Sequence, residues 1–189
     1  MAEQKNSTAT YDDDAIKTLS PREHIRLRPG MYIGKLGDGT QSDDGIYVLL
    51  KEVVDNSIDE FIMGAGKRIE ITIEDDTVGV RDYGRGIPLK SLSAAVSQMN
   101  TGGKYGGEAF KKTVGLNGVG VKAVNMLSSE FTARSVRDGE ARTVTFSQGI
   151  ELTDRSEAGV GEPTGTYIRF RVDREIFGDY SYNMEYVEQ

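Results

Sequence analysis

Apolar side chains recur along residues 45–63 at Ile46, Leu49, Leu50, Val53, Val54, Ile58, Phe61 and Ile62. That three-and-four spacing predicts a helix with one buried face. Gly64 and Gly66 follow at once and predict its end. From Arg68 to Glu74 the period changes to two, with Ile69, Ile71 and Ile73 alternating with polar residues, which predicts a half-buried strand. Asp75 and Asp76 supply a turn, and Thr77 to Arg81 reads as the hairpin partner. Ser91 to Met99 and Val119 to Leu127 predict further helices. Glu130 to Val136, Ala141 to Phe146 and Thr166 to Val172 predict further strands.

Before the long helix, Ser20, Pro21, Arg22 and Glu23 read as a helix start, with serine at the N-cap, proline at the first helical position and glutamate at the third. Arg28, Pro29 and Gly30 end that helix, and Met31 to Gly34 is expected to be a short extended piece. Residues 1–19 are polar, turn acidic at Asp12, Asp13 and Asp14, and are expected to form a mobile arm. Residues 100–120 are rich in glycine and poor in pattern. Short turns join most strands, so the expected fold is one α/β sandwich over residues 20–189: a mixed, mostly antiparallel sheet covered on one face by helices. There is no internal repeat and no sign of a second domain.

A chain of 189 residues is long enough to bury a substantial core. Its lack of cysteine excludes disulfides and thiolate metal sites, and a lone histidine, His24, excludes a multi-histidine site. The N-terminus has neither the basic start nor the apolar centre of a signal peptide, and a cytoplasmic location fits. A net charge of −7 argues against a general electrostatic grip on a nucleic-acid backbone.

The chemistry sits at four places. On the long helix, about 100° per residue sets Glu52, Asn56 and Asp59 on one stripe. Such a stripe is ordinarily a solvated face, but Asn56 is a poor helix former and offers a neutral oxygen suited to Mg²⁺, and a glutamate one turn earlier can polarise a water. Directly after the second strand comes Asp82, with Gly84 and Gly86 alternating behind it and Ile87 and Pro88 following. A plain turn needs one glycine; two suggest backbone held close to a flat ligand. An ionised aspartate accepts hydrogen bonds and donates none, so it suits the amino group of adenine and repels the carbonyl of guanine.

The third place runs from Thr101, Gly102, Gly103 and Lys104 through Gly115, Leu116, Asn117, Gly118, Val119 and Gly120 into the helix at Val121. A structureless stretch of about 20 residues is uncommon except as a lid or a disordered segment. Glycines opening a helix expose N–H groups that suit phosphate. No Gly-Lys-Ser or Gly-Lys-Thr follows, and no strand leads straight in, which excludes a P-loop and a dinucleotide fingerprint. The fourth place is Thr164, Gly165 and Thr166, a turn into a strand where a threonine hydroxyl could bond an aspartate or a base.

In this order the four places resemble the GHKL (Bergerat) nucleotide-binding family: Glu52-x-x-x-Asn56, Asp82-x-Gly84-x-Gly86, Gly115-x-x-Gly118-x-Gly120 and Gly165-Thr166. The resemblance implies ATP held between helix, sheet and lid. It implies Glu52 as general base, Asn56 as Mg²⁺ ligand, and Asp82 on the adenine amino group with Thr166 supporting through water. Gly84, Arg85, Gly86, Ile87 and Pro88 would border the adenine, with Arg85 paired to Glu60. Gly102, Gly103, Lys104 and the run from Gly115 to Val121 would close over the phosphates.

The flanks, Arg28 to Gly34, Glu52 to Asn56 and Gly102 to Tyr105, look like the B subunits of bacterial type II topoisomerases, and the likeness extends from Leu19 to Val172. Tyr83 stands where gyrases commonly have aspartate and Asn117 where they have histidine, and the stretch from Pro88 to Thr101 is short. These features look more like the topoisomerase IV type than the gyrase type. The likeness implies ATP-driven closure of a B-type homodimer coupled to DNA passage, with an A-type subunit and DNA as partners. The arm, through Tyr11, would reach the second protomer. Transducer and DNA-cleavage domains would lie beyond this chain, including a lysine for the γ-phosphate, so the isolated chain is expected to be a monomer with weak hydrolysis. Thr143, with Arg142 beside it, stands near where relatives carry a pocket arginine, and that arginine is not assigned. A chaperone clamp, a sensor histidine kinase and a mismatch-repair clamp share the fold. Arg28 to Gly34 argues against the first, and His24 as sole histidine against the second.

Overall fold

The computed structural model describes residues 19–99 and 119–188. The N-terminal arm through residue 18 and residues 100–118 lie outside the described residues. Helix α1 spans Pro21–Leu27 and opens on the predicted capping box: Ser20 Oγ accepts from the Glu23 N–H at 3.2 Å, and Glu23 returns a carboxylate to the Ser20 N–H at 2.8 Å. The extended piece expected next is instead a helical turn, α2, Gly30–Ile33. Pro29 takes φ −60 and ψ −34, a helical pair, and its carbonyl accepts from Tyr32 and Ile33. Proline's fixed φ starts a helix as readily as it ends one.

Helix α3, Gly45–Ile62, matches the periodic stretch, and Gly64 behind it has φ 83, a conformation that favours glycine. Strands β1 (Ile69–Glu74) and β2 (Thr77–Asp82) form the predicted hairpin, with Asp75 at φ 56 in its turn. A 3₁₀ turn at Leu89–Ser91 precedes α4, Leu92–Ser97. Then come α5 (Gly120–Met126), β3 (Ser128–Arg137), β4 (Glu140–Ser147), β5 (Ile150–Ala158), β6 (Gly165–Val172), α6 (Arg174–Phe177) and α7 (Met184–Val187). No periodicity announces β5, because all nine of its residues are exposed; it is an edge strand held by its ladder to β4.

The six strands run in the order β1-β2-β6-β3-β4-β5, and every pairing is antiparallel. Val78 and Phe131 both pair with Phe170 across neighbouring strands, and Val80 and Ala133 both pair with Ile168. These side chains share the face that α3, α4 and α5 cover, and all are buried. The alternate positions carry Arg134, Arg169 and Arg171, paired with Glu162 and Glu130, so the opposite face is polar. Burial thins at β1, where Ile69 and Ile73 pack on the core but Ile71 is exposed. The core therefore sits between the sheet and α3–α5, and the same layer contains the site. No helix among the described residues is long and apolar enough to cross a membrane.

Candidate functional site

Glu52 and Asn56 stand one turn apart on α3. Asn56 is exposed, and its amide nitrogen donates to the Glu52 carbonyl at 3.0 Å, which fixes the side chain along the helix. Glu52 is half-buried, and burial is the main cause that raises its carboxyl pKa; Asp55 adds to the rise and Lys51 opposes it. Its carboxylate leans on the start of α5, where a Cβ on Gly120 would lie 1.9 Å from Glu52 Oε2. The stripe is solvated only in part: Asn56 is exposed, Glu52 half-buried, and Asp59, its third member, 1% exposed.

Asp82 ends β2 on the helix-covered side and is 7% exposed. Its Oδ1 accepts two backbone N–H groups, from Gly84 and from Thr166, both at 3.0 Å. Its Oδ2 receives the Ser57 hydroxyl at 3.4 Å. Burial raises the Asp82 pKa more than those donors lower it, and the Glu60 charge adds to the rise. Glycine at 165 makes the approach possible, since it has φ 148 and a Cβ there would meet the Asp82 carbonyl at 2.2 Å. Thr166 thus reaches Asp82 directly through its N–H.

The turn after Asp82 is gripped from two sides. On the α3 side, Glu60 accepts from the Arg85 N–H at 3.0 Å, from Nε at 3.1 Å and from Nη2 at 2.9 Å, so the expected ion pair is present and two-pronged. A Cβ on Gly84 would meet that Glu60 side chain at 2.9 Å. On the β3 side, Ser135 Oγ donates to the Ile87 carbonyl at 2.6 Å, and a Cβ on Gly86, at φ 73, would meet the Val136 carbonyl at 2.8 Å. Pro88 is exposed and leads into the 3₁₀ turn. A cavity of about 160 Å³ opens beside the aspartate where α3 passes into β1, lined by Ser57, Phe61, Gly66, Ile69, Asp82 and Tyr83 among others; Glu52, Asn56, Ile87 and Pro88 do not line it.

Val119 precedes α5 as its N-cap, and Gly120 and Val121 open it. Gly102, Gly103, Lys104, Gly115, Leu116, Asn117 and Gly118 lie outside the described residues. Sequence reasoning missed three contributors. Ser57 and Ser135 are buried hydroxyls on the site's two walls, and Arg137 reaches the Gly86 carbonyl at 3.4 Å. Thr143 instead accepts from Arg134 at 2.8 Å, while Arg142 bonds Asp154 and the Leu89 carbonyl. A polar residue inside a helix at 57, one position after Asn56, was the readable signal; Arg137 has no local one. Among the described residues no three His, Cys, Asp or Glu side chains cluster as a metal site. A hard cation here would therefore need oxygens from a ligand besides the Asn56 amide.

A family profile described as histidine kinase-, DNA gyrase B- and HSP90-like ATPase matches residues 41–176. The chain is 54% identical to the B subunit of DNA topoisomerase 4 from Borreliella burgdorferi over 182 residues, 96% of this chain and 30% of that protein. It is 38% identical to the B subunit of DNA gyrase from Staphylococcus epidermidis over 194 residues, 97% of this chain and 29% of the relative. It is 39% identical to the corresponding gyrase chain of Mycolicibacterium smegmatis over 202 residues, 99% and 28%. The chain thus spans under a third of the length of these relatives. The solved 43K ATPase domain of Thermus thermophilus gyrase B, in complex with an aminocoumarin, superposes with a TM-score of 0.74 at 27% identity, covering 88% of this chain and 43% of that one.

Proposed function

The chain belongs to the histidine kinase-, DNA gyrase B- and HSP90-like ATPase family, and from that membership we propose that it is the ATP-binding and ATP-hydrolysing module of the B subunit of a type II DNA topoisomerase. The observation that carries the reading is Asp82: a buried carboxylate with one oxygen filled by two backbone N–H groups and the other met by the Ser57 hydroxyl at a long 3.4 Å. Such an acceptor takes the amino group of adenine and rejects the carbonyl of guanine. The closer likeness to the topoisomerase IV relative, 54% against 38–39% for the gyrases, favours the former kind over a gyrase.

Under this reading Gly84, Arg85, Gly86, Ile87 and Pro88 border the base, and Thr166 supports Asp82. Glu52, with its raised pKa, takes a proton from the attacking water. Asn56 would hold Mg²⁺ through its amide oxygen, the remaining positions going to phosphate oxygens and water, and the ion would neutralise phosphate charge. Gly102, Gly103, Lys104 and the run from Gly115 to Val121 would enclose the phosphates. In the longer protein, ATP binding would close a homodimer of B subunits around DNA, alongside an A-type subunit, in the cytoplasm. The isolated chain would bind ATP as a monomer and turn it over slowly.

Calorimetry of this chain with non-hydrolysable ATP and GTP analogues tests the reading at its base: ATP alone should bind, and equal binding of both would overturn it. In the full-length protein, ATP turnover stimulated by DNA separates a topoisomerase from a chaperone or a kinase.

A further inference from the structure

Ser57 follows Asn56 on α3, is 5% exposed, and forms one wall of the cavity beside Asp82. Its hydroxyl meets Asp82 Oδ2 at 3.4 Å. Hydroxyl-to-oxygen hydrogen bonds ordinarily run at about 2.7–2.8 Å, so this contact is long and cheaply given up. The other carboxylate oxygen is committed to the N–H groups of Gly84 and Thr166. What remains is an acceptor, Oδ2, next to a donor, the Ser57 hydroxyl. Adenine carries the complement: a 6-amino donor flanked by ring-nitrogen acceptors.

We propose that Ser57 is a base-binding residue whose hydroxyl donates to a ring nitrogen beside the 6-amino group of the bound base while Asp82 Oδ2 takes the amino N–H. This rests on the reading of the site as an adenine pocket. The exchange balances. The single hydroxyl proton leaves Oδ2 for the ring nitrogen, and an amino proton of the base replaces it on Oδ2, so no buried acceptor loses its donor. Asp82 alone repels a guanine carbonyl. A serine can accept as well as donate, so Ser57 adds affinity for adenine rather than rejection of guanine.

The test is nucleotide affinity measured by calorimetry on this chain, comparing wild type, S57A and S57T with ATP, 1-deaza-ATP and 7-deaza-ATP. In each deaza analogue a C–H replaces one ring nitrogen beside the amino group. S57A should weaken ATP by about 2- to 12-fold, the span of one ordinary hydrogen bond, and S57T should restore it. For one of the two analogues, S57A should make no difference, because the acceptor it served is already gone. An equal loss across all three nucleotides would make the hydroxyl a packing group and overturn the proposal, as would an S57A variant that binds ATP like wild type. If folded wild type fails to bind ATP, the adenine-pocket reading falls instead, and this proposal with it.

Discussion

Glu52 Oε2 occupies the space that a side chain on Gly120 would need: a Cβ there would lie 1.9 Å away, far inside contact distance. Helices α3 and α5 are closed on one another at this point, so the first residue of α5 sets where the carboxylate stands. Gly120→Ala should therefore push the carboxylate aside without emptying the base pocket. A displacement of about 1 Å can cost a reaction on the order of 10²-fold. We expect kcat to fall by that order while ATP affinity falls much less. Steady-state kinetics with direct binding would decide, and an unchanged kcat would remove Glu52 from the chemistry or Gly120 from its positioning.

Burial raises the Glu52 pKa, so a base at this position should lose its function on the acid side at a pH above the ordinary glutamate range. The rate should be full while Glu52 is ionised and should fall as pH drops through the raised value. Glu52→Ala should lower turnover by roughly 10²–10⁴ and abolish that acid limb, with nucleotide still bound. The comparison is kcat against pH for the two proteins in the full-length enzyme. A variant that keeps the limb would place the titrating group elsewhere.

Asp82 sets binding against stability. Its pKa is raised in the fold, so its contribution to stability is full below the unfolded value and is lost as pH rises through the folded one. At neutral pH the ionised carboxylate is a net cost to the fold. Asp82→Asn keeps an acceptor for the Gly84 and Thr166 N–H groups and removes the buried charge, so Tm near neutral pH should rise. The adenine contact should weaken by about 1.5–3 kcal/mol, the worth of a charge-assisted hydrogen bond. Thermal melts and calorimetry on one preparation would read both, and a variant that binds ATP as wild type does would end the assignment.

Strongly periodic elements were readable in advance because burial wrote them into the sequence. Ile46, Leu49, Leu50, Val53, Val54 and Ile58 of α3 belong to that group, whereas Phe61 and Ile62, expected on the same buried face, are exposed; the Ser20–Glu23 capping box was readable from its own local spacing. Elements held mainly by tertiary contacts were not. Exposed β5 exists through its ladder to β4, and the turn at Gly30–Ile33 follows from a helical Pro29. In the site, the spacing of Glu52, Asn56, Asp82 and the glycines was visible, since those residue types are unusual where they stand. Ser135 and Arg137 come from a strand more than 40 residues further along, and only the β3–β6 register brings them to Gly86 and Ile87. Nothing local in the chain states that register.

The core predicts its own weak point. Phe170 is fully buried and faces Val78 on one neighbouring strand and Phe131 on the other. Phe170→Ala should cost about 3–5 kcal/mol, which for a small domain approaches the whole stability. Denaturant titration should show either a much lower midpoint or no folded baseline. A loss under about 1 kcal/mol would mean that the sheet closes around the cavity, since the cost depends on how well such a site collapses.

Glu60 links the turn to the aspartate it follows. It holds Arg85 through three donors, yet the pair is partly exposed, Arg85 at 54% and Glu60 at 24% of their side chains, so solvent screens it and its stability contribution should be no more than about 1 kcal/mol. Its charge has a second effect, because it is one of the causes that raise the Asp82 pKa. Glu60→Gln keeps an acceptor for Arg85 and removes that charge. It should leave Tm nearly unchanged and lower the Asp82 pKa; the cation left on Arg85 acts in the same direction. ATP affinity depends on an ionised Asp82, so its acid limb should move to lower pH in the variant. Taking the difference between variant and wild type cancels the titration of the nucleotide itself. If the limb stays in place while affinity drops at every pH, Glu60 acts only by holding the turn, and the electrostatic link to Asp82 is absent.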